Sequence, residues 1–330
     1  MAGRSARCAG AIPLAQIAER GGRAGKPPLK ATTYRAAYYM NGRIYVNVLG
    51  TPEEKPLIVP PVPGQEDFKP SWSMTGDMLV FFRRVKNDPV VVNWKTAICV
   101  VKTDGSGFHQ LTDGTHTDFN PTWTRDGSNT IIWNRWNPRT GGFYVMASKV
   151  GNRPGQEVPI SDPRYHTWAH TCLKDGRILV ECAHPTLGWG YYLMTPKVGG
   201  GGRYERIDCA GLDRQGLLCR ISLSLSETKV CFEHLLGHKF RETGHAIYVA
   251  DFDVHKRAIT SPRIIANRER KEAWFAYPCW TRDEKAIVYH ANTTGKGALF
   301  LYTLQDGVTK RVSTNSNADY RYPCCEAMPK

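Results

Sequence analysis

No apolar run in the chain approaches the roughly 18 residues of a membrane-crossing helix, so no transmembrane segment is expected. There is no Cys-x-x-Cys and no Cys-x-x-Cys-His, which leaves a zinc ribbon or c-type haem attachment without support. Also missing are a Gly-x-Ser-x-Gly elbow, a P-loop and a Gly-x-Gly-x-x-Gly opening a helix. Their absence excludes an α/β-hydrolase, a kinase and a dinucleotide enzyme. Dense Lys/Arg blocks are lacking as well, so nucleic acid is not an expected partner.

What is present is aromatic and rich in turns. The 330 residues include 31 Gly, 21 Pro, 15 Tyr and 9 Trp, and 41 % are hydrophobic, enough for a real core and many aromatic strands. The net charge is +14. A surplus of five falls in residues 1–33, where Arg4, Arg7, Arg20, Arg23, Lys26 and Lys30 face Glu19 alone. That segment reads as a basic arm or leader remnant. Its best apolar stretch, residues 9–18, is interrupted by Pro13 and Gln16 and makes a poor signal-peptide core. The remaining +9 is spread over residues 34–330, and a basic surface favours acidic partners. Of the ten cysteines, Cys99, Cys172, Cys231 and Cys279 sit inside β-like apolar runs as small hydrophobes. Cys209/Cys219 and Cys324/Cys325 are the pairs placed for bonding, which leaves the redox compartment open.

Internal periodicity carries the fold. Pro70-Ser71-Trp72-Ser73, Pro121-Thr122-Trp123-Thr124 and Pro278-Cys279-Trp280-Thr281 repeat one unit, each followed by a polar turn and a strand. Degenerate copies begin at His170 and Ser222, and the C-terminal Tyr320-Arg321-Tyr322-Pro323-Cys324-Cys325 supplies another first strand. The proline position thus falls at 70, 121, 170, 222, 278 and 323. Four short strands per unit make a propeller blade. Residues 36–61 hold only later strands of a blade, so blade one is expected to be stitched from both ends of the chain. The reading is all-β: a single six-bladed β-propeller over residues 34–330.

These residues resemble the TolB-like (PD40, WD40-like) propeller repeat, most clearly from Ile98 through Gly127. The resemblance covers the propeller half of TolB and implies a periplasmic or extracellular setting. Val230-Cys231-Phe232-Glu233-His234 is also similar to a strand end of oligogalacturonate lyases, TolB-like propellers with a histidine-rich metal site in the channel mouth.

A propeller binds at its mouth, where loops lead into each first strand and out of each second strand. Aligning second strands puts Phe82, Asn134, Glu181, Glu233 and His290 in one column, with Arg83, Arg135, Cys182, His234 and Ala291 in the next. Charged groups at strand ends are costly to bury unpaired, so they are either solvated or organised. His166 and His170 share a strand face, about 13 Å apart if extended. That is too far for one metal ion without a bend. Ligands drawn from different blades, His184, Glu233 and His290, are the candidates for a divalent Mn, Zn or Ca. Asn134, Glu181, Trp136, Arg214 and Lys239 are candidate ligand contacts, Lys239 from a charged excursion over residues 235–244.

Two functions follow. One is a ligand-binding or protein-interaction scaffold, with a mouth suited to acidic or carbohydrate ligands. The other is a lyase or hydrolase acting on an acidic oligosaccharide by β-elimination. There Arg135 or Arg214 would hold the uronate carboxylate while Tyr165, His166 or His234 moves the proton.

Overall fold

Strands form where apolar side chains alternate between two destinations. In Met78–Lys86, Val80 and Phe82 enter one apolar layer while Leu79 and Phe81 enter the opposite one. Both faces of a blade are therefore buried, against the blade before and the blade after. The computed structural model describes residues 33–52, 54–57, 63–209, 212, 217–235, 245–266, 274–292 and 295–327.

Six small antiparallel sheets make the molecule. The innermost strands are Tyr320–Ala327 in blade one, then Glu66–Trp72, Asp118–Trp123, Thr167–Cys172, Leu217–Leu223 and Trp274–Trp280 in blades two to six. The second strands are Tyr34–Met40, Met78–Lys86, Thr130–Asn137, Ile178–His184, Lys229–Leu235 and Ala286–Asn292. A third strand follows in each, and a fourth in blades two to six. At the fourth position of blade one, the described residues make one bridge, between Tyr45 and Pro56. Its first strand does come from the far end of the chain, with Ala36 opposite Cys325 and Ala37 opposite Cys324. No helix among the described residues is long and apolar enough to cross a membrane.

The Pro-x-Trp unit has a physical reason. Trp123 Nε1 donates to the Ser71 carbonyl at 3.1 Å, Trp72 Nε1 to that of Cys324 at 2.9 Å, and Trp280 Nε1 to that of Ser222 at 3.1 Å. Each indole staples its blade to the innermost strand of the blade before. The same bonds show the repeat frame. The Trp position of blade five is Leu223, opposite Val230 just as Trp280 lies opposite Ile287. The proline position there is Ile221, one residue before the Ser222 expected from the sequence.

Each innermost strand carries a β-bulge at that unit. In five blades the residue before the proline position is left-handed: Lys69, Asn120, Arg220, Tyr277 and Tyr322 have φ between 48° and 53°. In blade four the bulged residue is His170. A bulge leaves an unpaired position, so proline's missing N–H costs no ladder bond there. All six bulge residues line the central channel.

Candidate functional site

The predicted columns on the second strands are real. Phe82, Asn134, Glu181, Glu233 and His290 lie opposite Phe68, Phe119, Trp168, Cys219 and Ala276 in the sheet register. They do not form a wet rim, however. Asn134, Glu233 and His290 are fully buried between blades, because the propeller packs second strands face to face and leaves the channel to the first strands.

Arg135 is held at 2.7 and 2.9 Å by the two oxygens of Asp118, with Glu157 at 3.1 Å. Burial alone would weaken its proton affinity, but the Asp118 carboxylate outweighs it and keeps the guanidinium charged. Arg83 and Asp67 repeat the pair in blade two, at 2.6 and 2.9 Å. Asn134 clamps Ala169 of the next blade, accepting from its N–H at 2.7 Å and donating to its carbonyl at 3.2 Å. Trp136 packs edge-on against Phe143, ring centres 5.0 Å apart.

The proposed metal ligands do not converge. His184 Nδ1 accepts the backbone N–H groups of Thr186 and Leu187 at 3.3 and 3.2 Å, capping its own hairpin. Glu233 is taken up by Arg220 at 2.8 Å and by His245. His290 stacks on Tyr277 at 5.4 Å, and burial pushes its proton affinity well down. Among the described residues, no three of His, Cys, Asp and Glu sit where they could share a metal ion. His234 is buried, edge-on to Tyr248 at 5.4 Å. Tyr165 packs against His184 at 5.5 Å. Arg214, Lys239 and residues 1–32 lie outside the described residues. Cys209 and Cys219 are both thiols. Cys324 and Cys325 face opposite apolar layers, as consecutive strand residues do.

His166 is where sequence reasoning came nearest. The blade-four bulge supplies the bend, so His166 Nε2 and His170 Nε2 approach the two oxygens of Glu181 at 3.8 and 3.9 Å. These distances are too long for hydrogen bonds. His166 Nδ1 accepts the Phe143 N–H at 3.2 Å, which aims Nε2 at Glu181. Its ring stacks on Trp189 at 5.5 Å, and Trp189 is 47 % exposed. Phe143 in turn packs against Trp168, a channel-wall residue, at 4.6 Å. An aromatic path thus runs from the channel wall out to an exposed indole.

The channel wall adds residues that the sequence reading does not single out. Lys69 sits over the Tyr277 ring at 5.3 Å and Arg220 over the same ring at 4.3 Å. Tyr322 meets Tyr277 edge-on at 4.5 Å. Burial, then the Arg220 charge, brings the Lys69 amine down to about 7. His170 falls to about 3 by burial, with Lys69 and Arg220 adding to it. The signal was in the sequence: in five blades the residue before the proline position is Lys, Asn, Arg, Tyr or Tyr, large and polar where an inner strand would otherwise read as apolar.

Solved structures carry the same architecture. TolB from Acinetobacter baumannii superposes with a TM-score of 0.63 at 12 % identity, covering 88 % of this chain and 66 % of that one. A putative TolB from Agrobacterium tumefaciens gives 0.51 at 12 %, covering 85 % and 89 %. Hydrazine synthase of Kuenenia stuttgartiensis gives 0.65 at 12 %, covering 89 % of this chain and 46 % of that one. The chain thus spans just under two thirds of the first of these and under half of the last. No family model and no curated protein matches the sequence. The fold is that of a TolB-like propeller.

Proposed function

We propose that the chain is a binding scaffold whose channel mouth holds an acidic saccharide. The observation that carries this reading is the aromatic path from Trp168 through Phe143 and His166 to the exposed Trp189. Flat aromatic faces take sugar rings, and Lys69 and Arg220 supply positive charge at the channel end of the path. The net charge of +14 works in the same direction. Arg135 contributes none of this, since its guanidinium is already occupied by Asp118 and Glu157.

A second reading, β-elimination on the same ligand, is favoured by one observation. His166 and the neutral His170 flank Glu181, and the Lys69 amine is deprotonated in part at neutral pH. In that reaction a base removes the proton beside the uronate carboxylate, a carbon–carbon double bond forms, and the β-oxygen leaves as an alcohol. Any divalent cation would act by neutralising the carboxylate. Calorimetry with uronate oligosaccharides and their neutral counterparts, with ultraviolet absorbance of unsaturated product followed in parallel, separates the readings. The scaffold reading expects tighter binding of the acidic series and a flat absorbance trace. Rising absorbance would replace it with the lyase. No preference for the acidic series would overturn both.

A further inference from the structure

Behind the ring of bulge residues the channel holds an open cavity of about 220 Å³. Among the described residues four cationic side chains line it, Lys69, Arg125, Arg220 and Arg282, and no Asp or Glu does. Arg125 crosses from blade three to blade five, donating to the carbonyls of Ser224 and Leu223 at 2.8 Å each. Arg282 crosses from blade six to the Met74 carbonyl of blade two at 2.9 Å. These two narrow the end of the channel opposite the bulge ring. Arg220 has Glu233 behind it. Lys69 and Arg125 have no carboxylate at ion-pair distance among the described residues.

His170 is a separate observation at the same wall. Its side chain is 2 % exposed, and neither ring nitrogen has a hydrogen-bond partner. Buried polar groups are nearly always satisfied, by protein, water or ligand. Hydroxyls complete the lining, with Ser71 and Thr122 at 3.4 Å from one another across two blades. The lining is thus rich in positive charge and donors, with its nearest carboxylates, Glu181 by His170 and Glu233 by Arg220, set behind it. Its volume suits a small molecule.

We propose that this cavity binds a small multivalent oxyanion, a di- or tricarboxylate or inorganic phosphate, between Lys69, His170 and the channel arginines. The site shares Lys69 and Arg220 with the inner end of the saccharide mouth, but it needs no aromatic path and so does not rest on the saccharide reading. The small anions carry no sugar ring, so a failed saccharide panel leaves this site standing, and the reverse also holds.

The test is calorimetric titration of the dialysed full chain with citrate, succinate and inorganic phosphate, against sodium chloride at equal ionic strength. The expected result is one oxyanion per chain, with affinity lower by about tenfold in Lys69→Met and largely kept in Lys69→Arg, since a desolvated charge pair is the interaction removed. Whether carboxylates or phosphate bind better identifies the class. Thermal melts of the wild type in the same solutions provide a readout that needs no variant, with the melting point raised by the bound oxyanion beyond the chloride control. Oxyanions that bind no better than chloride overturn the proposal. So does a folded Lys69→Met chain that binds them as the wild type does.

Discussion

Single residues in this propeller divide between stapling blades and facing the channel. Trp123 is a staple: its indole N–H reaches the Ser71 carbonyl while its ring fills the layer between blades two and three. Trp123→Phe keeps most of the ring and loses the bond, and should cost about 1–2 kcal/mol in denaturant unfolding. Lys69 is the channel counterpart. Its amine is held near 7 in the folded chain against 10.5 ordinarily. Between those values the unfolded chain binds the extra proton, so the Lys69 contribution to stability rises with pH across that window. Below it the buried charge is a full penalty. Lys69→Met should therefore raise the melting temperature most below pH 7, with the gain shrinking toward pH 10.5. A gain that grows with pH would contradict the assignment.

At the scale of elements, the bulge and the buried ion pair matter most. The Asp118–Arg135 and Asp67–Arg83 pairs join first and second strands beneath the mouth. Arg135→Met leaves Asp118 buried without its partner and should cost about 3–5 kcal/mol. If it instead weakened only ligand binding, at unchanged stability, Arg135 would be a ligand contact after all. These elements also show what was legible in advance. Strand order, blade count and the second-strand columns follow from apolar alternation and the Pro-x-Trp spacing. The partners of the column residues do not. Whether Arg135 faces solvent or Asp118 depends on the first strand lying beside the second. Whether His166 and His170 can meet one carboxylate depends on a bulge that local sequence spacing does not announce. The sequence therefore located polar groups at strand ends, but not the partners that bury Asn134, Arg135 and Glu233. It passed over Lys69, Arg220 and Tyr277, since residues inside an inner strand read as packing until the bulge turns them to the channel.

The whole molecule is a ring closed by one strand. Tyr320–Ala327 pairs with Tyr34–Met40, and its Cys324 carbonyl accepts the Trp72 indole of blade two. Removing it would expose the edge of Tyr34–Met40 and uncover the apolar layers on both sides of blade one. A chain lacking residues 320–330 should lose its cooperative melt and aggregate, as seen by calorimetry and gel filtration. Ring closure is also what creates the channel, because the six bulge residues come from six separate blades and no single blade holds a site. The central claim is that this channel and its aromatic mouth bind an acidic ligand. Tryptophan fluorescence during titration with a uronate oligosaccharide tests it most directly, in the wild type, Trp189→Ala and Lys69→Met. The account predicts saturable quenching that is lost in Trp189→Ala and weakened at least several-fold in Lys69→Met, while neutral oligosaccharide leaves the signal flat. Equal response to acidic and neutral sugars, or full binding in both variants, would contradict it.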